Sequence, residues 1–158
     1  MSSLRSCLGR FATGVAVVTF SGPDGPRGIT VNSFTSVSVE PPLVLVAVAR
    51  TARSHDALSE RPFCVNVLAA EQEAIARQFA GAGDAGAVIW AQGAAVPRLA
   101  GVLAHLECRP WRDYDGGDHT LFLGEVADFA YRDGAALAFH TSRFTSIADE
   151  QLGIEDLI

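Results

Sequence analysis

The sequence predicts a mainly β protein, built as a closed antiparallel β-barrel with a few short helices. Two observations carry that fold class. At least six stretches are rich in β-branched, aromatic and aliphatic residues and are bounded by Gly, Pro, Asp or Ser clusters. The helical patterns between them are too short for the regular crossover helices of a parallel sheet, so neighbouring strands are expected to run antiparallel. At 158 residues the chain suits a single domain, residues 1–158, with an N-terminal helix within residues 1–13 and an acidic tail over residues 145–158.

Taken in order, residues 3–13 place Leu4, Leu8 and Phe11 at helical spacing with Arg5 and Arg10 opposite, and Gly14 stops the pattern. Residues 15–20 are β-branched and aromatic and run into Ser-Gly-Pro-Asp-Gly-Pro, which predicts a hairpin with a wide turn. The returning strand starts at Gly28 and ends where Pro41 and Pro42 remove two backbone donors. Residues 43–49 are apolar without alternation, the pattern of a central strand covered on both faces. Ser54 is the N-cap candidate for a short helix that Pro62 closes off.

Residues 63–68 alternate as a strand, and residues 71–80 form a helix with Ile75 and Phe79 one turn apart and Gly81 at its end. Residues 82–97 are an irregular loop in which Trp90 is read as packing. Residues 101–112 and 119–132 are long strands joined by a strong hairpin signal, and residues 137–140 add a short one. Residues 147–158 carry Leu152, Ile154, Leu157 and Ile158 on an acidic background, the pattern of a tail laid on the body or on a partner.

Charge and composition exclude several classes. The net charge is −6, every basic residue is arginine and there is no basic run, so nucleic acid is not an expected partner. The longest apolar run, residues 43–49, is far below the ~20 residues of a membrane-spanning helix, and the first residues lack an apolar signal core. No membrane association and a cytoplasmic location are the expectations. Cys7, Cys64 and Cys108 are odd in number and widely spaced, which predicts buried thiols rather than a disulfide frame or a zinc site.

The stretch GITVNSFTSVSVEPP over residues 28–42 is where function is expected. Thr30, Asn32, Ser33, Thr35, Ser36 and Ser38 place six short polar side chains on one β-prone segment, and a strand ladder satisfies only the backbone. Either that face is solvated or it is matched to a ligand. Downstream, Arg50, Arg53 and the helix start at Ser54 offer guanidinium, hydroxyl and N–H groups to an anion, with a plain surface turn as the alternative. There is no nucleophile elbow, no HExxH, no Rossmann glycine fingerprint and no P-loop, so hydrolase, metal-centred and ordinary nucleotide-binding chemistry lack their motifs. A flavin matches what remains. Its polar pyrimidine edge suits Ser and Asn donors, its dimethylbenzene edge suits Val and Leu, and its phosphate suits arginine, on strands about 4.8 Å apart.

The ordered motifs GRFATGVAVVT, GITVNSFTSVSVEPPLVLVAV, RSHDAL, FCVNVL, EQEAIARQFAG, PRLAGVLAHLEC, GDHTLFLGEV and LAFHTSRF resemble the short-chain flavin reductases of two-component flavin-dependent monooxygenases, through most of residues 9–144. The resemblance implies a Greek-key, FMN-binding split β-barrel that forms a homodimer. It also implies oxidation of NADH or NADPH, reduction of FMN or FAD, and delivery of reduced flavin to a partner monooxygenase. Carried over by motif, Thr30, Asn32, Ser33, Ser36, Val37 and Ser38 would line the ring and ribityl chain. Ala49, Arg50, Ser54 and His55 would hold the ribityl and phosphate end, with Phe79 and Ala80 completing the pocket.

His119 of the GDH motif would face the nicotinamide, with Arg143 and Phe144 nearby. Hydride transfer between two cofactors needs alignment more than an acid, so His119 is assigned to positioning before proton handling. The closing motif carries Ser142 where members of the family often have glycine. Two other functions remain open on this reading: a flavin- or heme-binding module without turnover, and a bound-flavin oxidase acting on a small organic substrate.

Overall fold

A computed structural model describes residues 3–84 and 86–149. Helix α1 spans only Leu4–Leu8, opened by the Ser3 hydroxyl accepting the Ser6 N–H at 3.1 Å, and it buries none of its residues, so Cys7 is exposed and only Cys64 and Cys108 are the buried thiols expected. The short strand β1 (Thr13–Gly14) follows. Strands β2 (Ala16–Gly22) and β3 (Gly25–Val31) make the first hairpin, and Pro23 and Asp24 alone connect them. The turn is therefore tight rather than wide. Gly25 makes this possible at φ 123, a backbone region that side chains oppose.

Strands β4 (Thr35–Ser38) and β5 (Leu43–Ala49) pair next, with a register shift between Ser36 and Ser38. Helix α2 covers Ala57–Glu60, and its N-cap is Asp56, without a side-chain cap bond. Ser54 is thus not the cap, because residues 53–56 form a turn before the helix begins. Strand β6 (Phe63–Val67), a 3-10 turn (Ala70–Gln72) and helix α3 (Glu73–Phe79) come next. The long hairpin β7 (Ala104–Gly116) and β8 (His119–Tyr131) matches its turn signal.

Two strands close the chain, β9 (Ala136–His140) and β10 (Arg143–Ile147). β10 occupies residues read as the site motif and the start of the tail. The rest of the acidic tail, from residue 150, lies outside the described residues.

Seven strands form one antiparallel sheet in the order β3-β2-β6-β7-β8-β5-β4, and β1-β9-β10 form a second. The hydrogen-bonded ladder of the larger sheet does not close, so the fold is mainly β with short helices, and no closed barrel is observed. Yet its two edge strands, β3 and β4, are consecutive in sequence and joined only through residues 32–34. That short link obliges the sheet to curve until its edges approach. The Ser33 hydroxyl holds the link against β5, donating to the Ala47 carbonyl at 2.8 Å and accepting the Ala47 N–H at 3.0 Å.

Inside the curve, Val18, Val46, Val65, Phe63, Phe122 and Leu58 form one core. On the outer side Val15, Val17, Leu68, Ala76, Leu99 and Leu137 form another, packed by Phe79 and Trp90, whose rings meet edge-on at 6.2 Å. The strands buried on both faces are therefore β2, with residues 16–20 all buried, and β6, with residues 63–66 all buried, while β5 alternates between buried and half-buried from Val44 on. α3 and the Trp90 segment cover the outer side of β2, and no helix does the same for β5.

Candidate functional site

Asn32 sits in the link between β3 and β4, and three hollows share it. One of about 760 Å³ is lined by residues of α1 together with Thr13, Asn32, Asp118, His119, Phe139 and Ser142. Another, of about 200 Å³, is formed by Val15, Thr30, Val31, Asn32, Ala80, Phe139 and Phe144. A third, of about 60 Å³, runs between Thr13, Asn32, Phe34 and Val67. The break in the polar segment creates this cleft: β3 turns one way, β4 the other, and Asn32 is left exposed at the corner. The largest hollow falls in the range of ligand pockets, roughly 300–1,000 Å³.

The polar segment divides into two groups. Thr30 donates to the Ala76 carbonyl of α3 at 2.7 Å, and Ser33 is bonded to Ala47, so both hydroxyls hold the fold together. Thr35 reaches only the Ser33 carbonyl, at 3.4 Å. The side chains of Asn32, Ser36 and Ser38 have no hydrogen-bond partner among the described residues, and Asn32 and Ser36 are exposed. Val37 lies at the register shift and is 47% exposed.

Toward the predicted phosphate end, Ala49 pairs with His119 across β5 and β8. The Arg50 guanidinium turns onto the β7–β8 hairpin, with Nε donating to the Gly117 carbonyl at 2.8 Å and Nη2 to Asp115 at 2.5 Å. His55 is held between Asp56 at 2.8 Å and the Thr120 hydroxyl at 2.7 Å, with its ring edge-on to Phe122. Ser54 is half-buried and its hydroxyl has no partner among the described residues. Burial pushes the nearby Asp113 carboxyl up, and His55 opposes that shift. Arg53 faces a different hollow, with Arg27 and Arg61.

His119 lies at the first position of β8, where the hairpin turn delivers it to the large hollow. Its Nδ1 is 2.7 Å from Asp118 Oδ1, and that hydrogen bond holds the Asp118 carboxyl below the usual aspartate range. The pair therefore survives acidification until the pH drops below ordinary aspartate values. A bond at Nδ1 leaves Nε2 as the ring atom available to a ligand. Phe144 meets Phe139 edge-on at 5.3 Å and carries Arg77 over its ring at 5.0 Å. Arg143 is exposed on β10 and does not line these hollows, whereas its neighbour Ser142 does.

Of the residues predicted from sequence, Thr30, Asn32, Ala80, His119 and Phe144 converge on this cleft. Phe79 stands behind it, with its ring about 3.0 Å from where a Cβ on Gly28 would lie. Ser36, Val37, Ser38, Arg50, Ser54 and His55 lie outside its lining. Thr13, Phe139 and Ser142 are lining residues that sequence reasoning did not select. Thr13 and Phe139 are neighbours only through the β1–β9 pairing. Ser142 had a signal in its departure from glycine, since Thr141 and Ser142 take φ 49 and 63 in the β9–β10 turn.

Two other chemistries find little support. Cys64 and Cys108 are each pushed up to about 12, mainly by burial and then by Glu107, so both thiols stay protonated at neutral pH. His105, Glu107 and Asp128 gather ligand-type atoms. Arg98, 2.7 Å from His105 Nε2 and 3.4 Å from Glu107, already supplies their positive charge.

A family model described as "Flavin reductase like domain" matches residues 8–148. The chain is 51% identical over 132 residues to an NADH-dependent FAD reductase of Streptomyces globisporus, covering 78% of this chain and 72% of that protein. It is 45% identical over 145 residues to an FMN reductase (NADH) of Agrobacterium fabrum, covering 90% and 83%. A solved Streptomyces globisporus NADH:FAD oxidoreductase, in complex with NAD and FAD fragments, superposes with a TM-score of 0.83 at 43% identity, over 94% of this chain and 93% of that one. Relatives at 35–36% identity are named as reductase components or subunits of monooxygenases.

Proposed function

We infer that this chain, which belongs to the flavin reductase-like domain family, is an NAD(P)H-dependent flavin reductase that supplies reduced flavin to a partner monooxygenase. The observation that carries this reading is the cleft around Asn32, in a chain up to 51% identical to named NADH-dependent flavin reductases. The residues fit a flavin. Asn32 is an exposed polar group without a hydrogen-bond partner among the described residues, and Ala80, Val15 and Phe139 supply apolar wall. A bound flavin supplies the ring that accepts hydride from the reduced nicotinamide, with FMN or FAD and NADH or NADPH as the pair. The chain's own part is alignment and exclusion of water.

In this reading Asn32 meets the ring in the cleft, the ribityl chain runs beyond the cleft's lining along Ser36, Val37 and Ser38 of β4, and Thr30 and Ser33 shape the wall through their bonds to α3 and β5. Ala49, Arg50, Ser54 and His55 serve the phosphate end, and Phe79 and Ala80 close the pocket. His119, held by Asp118, presents Nε2 to the nicotinamide beside Phe144 and Arg143. We read the curved sheet as a split barrel closed through the covalent β3–β4 link.

The proposed assembly is a homodimer. α1 is far too short to be stable by itself, and it leaves Leu4 74%, Leu8 65% and Phe11 79% exposed, apolar surface that a second copy would cover. A cytoplasmic setting is part of the same proposal. No helix among the described residues is long and apolar enough to cross a membrane.

The test is nicotinamide oxidation with each pairing of NADH or NADPH with FMN, FAD or riboflavin. Flavin-dependent loss of nicotinamide absorbance is expected with at least one pair, and its absence with all of them rejects the function. Sedimentation of the purified protein checks the dimer.

A further inference from the structure

Thr13 Oγ1 is the one buried side-chain polar atom among the described residues that has no hydrogen-bond partner. Its surroundings explain why the fold gives it none. Thr13 opens β1, whose backbone pairs with Phe139, and apart from Asn32, whose amide is not bonded to it, the side chains around the small hollow are those of Val15, Ala16, Phe34 and Val67. None of those four apolar side chains can accept a hydrogen bond. A buried hydroxyl left in that state costs roughly 1–3 kcal/mol relative to a paired one. Valine has the same shape and β preference without that cost. The same residue lines the large hollow together with Asn32 and His119, so the buried hydroxyl belongs to a side chain at the edge of the candidate site.

We propose that the Thr13 hydroxyl is a ligand-binding group of this cleft, donating its hydrogen bond to a carbonyl oxygen on a planar heteroaromatic ring. The carboxamide of a nicotinamide and the imide edge of a flavin both offer that chemistry. The inference rests on the flavin reductase reading and adds to it a residue of β1 to which the motif reading assigns no role. A threonine kept for a ligand has a signature opposite to that of a structural threonine. Its removal relieves the unliganded protein and penalises only the complex.

The experiment compares wild type with Thr13→Val and Thr13→Ser in three measurements: thermal unfolding without ligands, flavin Kd by fluorescence titration, and nicotinamide KM at saturating flavin. Thr13→Val is expected to unfold at the wild-type temperature or above it while losing about tenfold in one of the two affinities. A rise in flavin Kd identifies the imide, and a rise in nicotinamide KM identifies the carboxamide. Thr13→Ser, which keeps the hydroxyl, should stay near wild type in both.

A Thr13→Val protein with unchanged Kd and KM overturns the proposal, and so does one that unfolds several degrees lower with both affinities intact. If wild type binds flavin without oxidising nicotinamide, the reductase reading falls alone, because the flavin arm still reads the role of Thr13.

Discussion

The chain's two asparagines, one within a strand and one in the link between two strands, have opposite situations. Asn66, in β6, is fully buried: its amide nitrogen donates to the Val17 carbonyl at 2.8 Å and the Thr19 hydroxyl at 2.9 Å, and its oxygen accepts the Leu99 N–H at 2.9 Å. Thr19 in turn donates to the Pro97 carbonyl. Asn32, at the corner between β3 and β4, is exposed and has no partner among the described residues. The residue type is the same, and its surroundings decide its task. Where the protein saturates a polar side chain, that side chain fixes the fold, here by pinning the loop before β7 onto β2. Where it leaves a group unengaged at a cleft, the group is available to a ligand.

The comparison predicts a separation of stability from binding, and its largest effect is at the saturated end. Asn66→Ala should leave the Leu99 N–H and the Thr19 hydroxyl poorly paired in the core and destabilise the protein by about 3 kcal/mol. A melting temperature lowered by roughly 10 °C is the readout, and an unchanged one would break the comparison. Ser33→Ala tests the intermediate case, a polar-segment residue whose hydroxyl holds β5. It should cost about 1–2 kcal/mol in urea unfolding, through the two bonds to Ala47.

For Asn32→Ala the expected result is reversed. Stability should stay within about 0.5 kcal/mol, while flavin Kd rises about tenfold, or ~1.4 kcal/mol, in a fluorescence titration. A large stability loss there would show that Asn32 has a structural partner after all. The smallest effect concerns backbone rather than polar pairing. Ser142→Gly should stabilise by up to about 1 kcal/mol, because Ser142 sits at φ 63 where glycine alone is unstrained, and a shifted denaturation midpoint checks it.

Much of the architecture was legible along the chain. Alternation and the Asp-Gly-Gly-Asp turn located the β7–β8 hairpin, β-branched runs located β2 and β5, and Phe79 and Trp90 were correctly read as packing residues. The errors arose where a local pattern has two solutions. Ser54 is an acceptable N-cap by composition, yet the chain turns through residues 53–56 and starts α2 after Asp56. Residues 43–49 are apolar enough for burial on both faces, but which strand a helix covers depends on where α3 lands, and it lands on the β2–β3 hairpin. β10 was invisible because five residues, three of them polar, are held as a strand only by pairing with β9.

The sequence by itself determined the β-rich class, the order of the motifs and the family, together with the segment on which a ligand site would be built. These depend on local preference and on residues close together in the chain. Only the tertiary structure decided which polar side chains of that segment are engaged. Thr30 finds its acceptor at Ala76 and Ser33 at Ala47, while Asn32 of the same segment, like Thr13 in β1, finds none among the described residues. Hydrogen-bond satisfaction is settled by groups far apart in sequence, so no inspection of the polar run alone can separate the side chains that hold the fold from those left for a ligand.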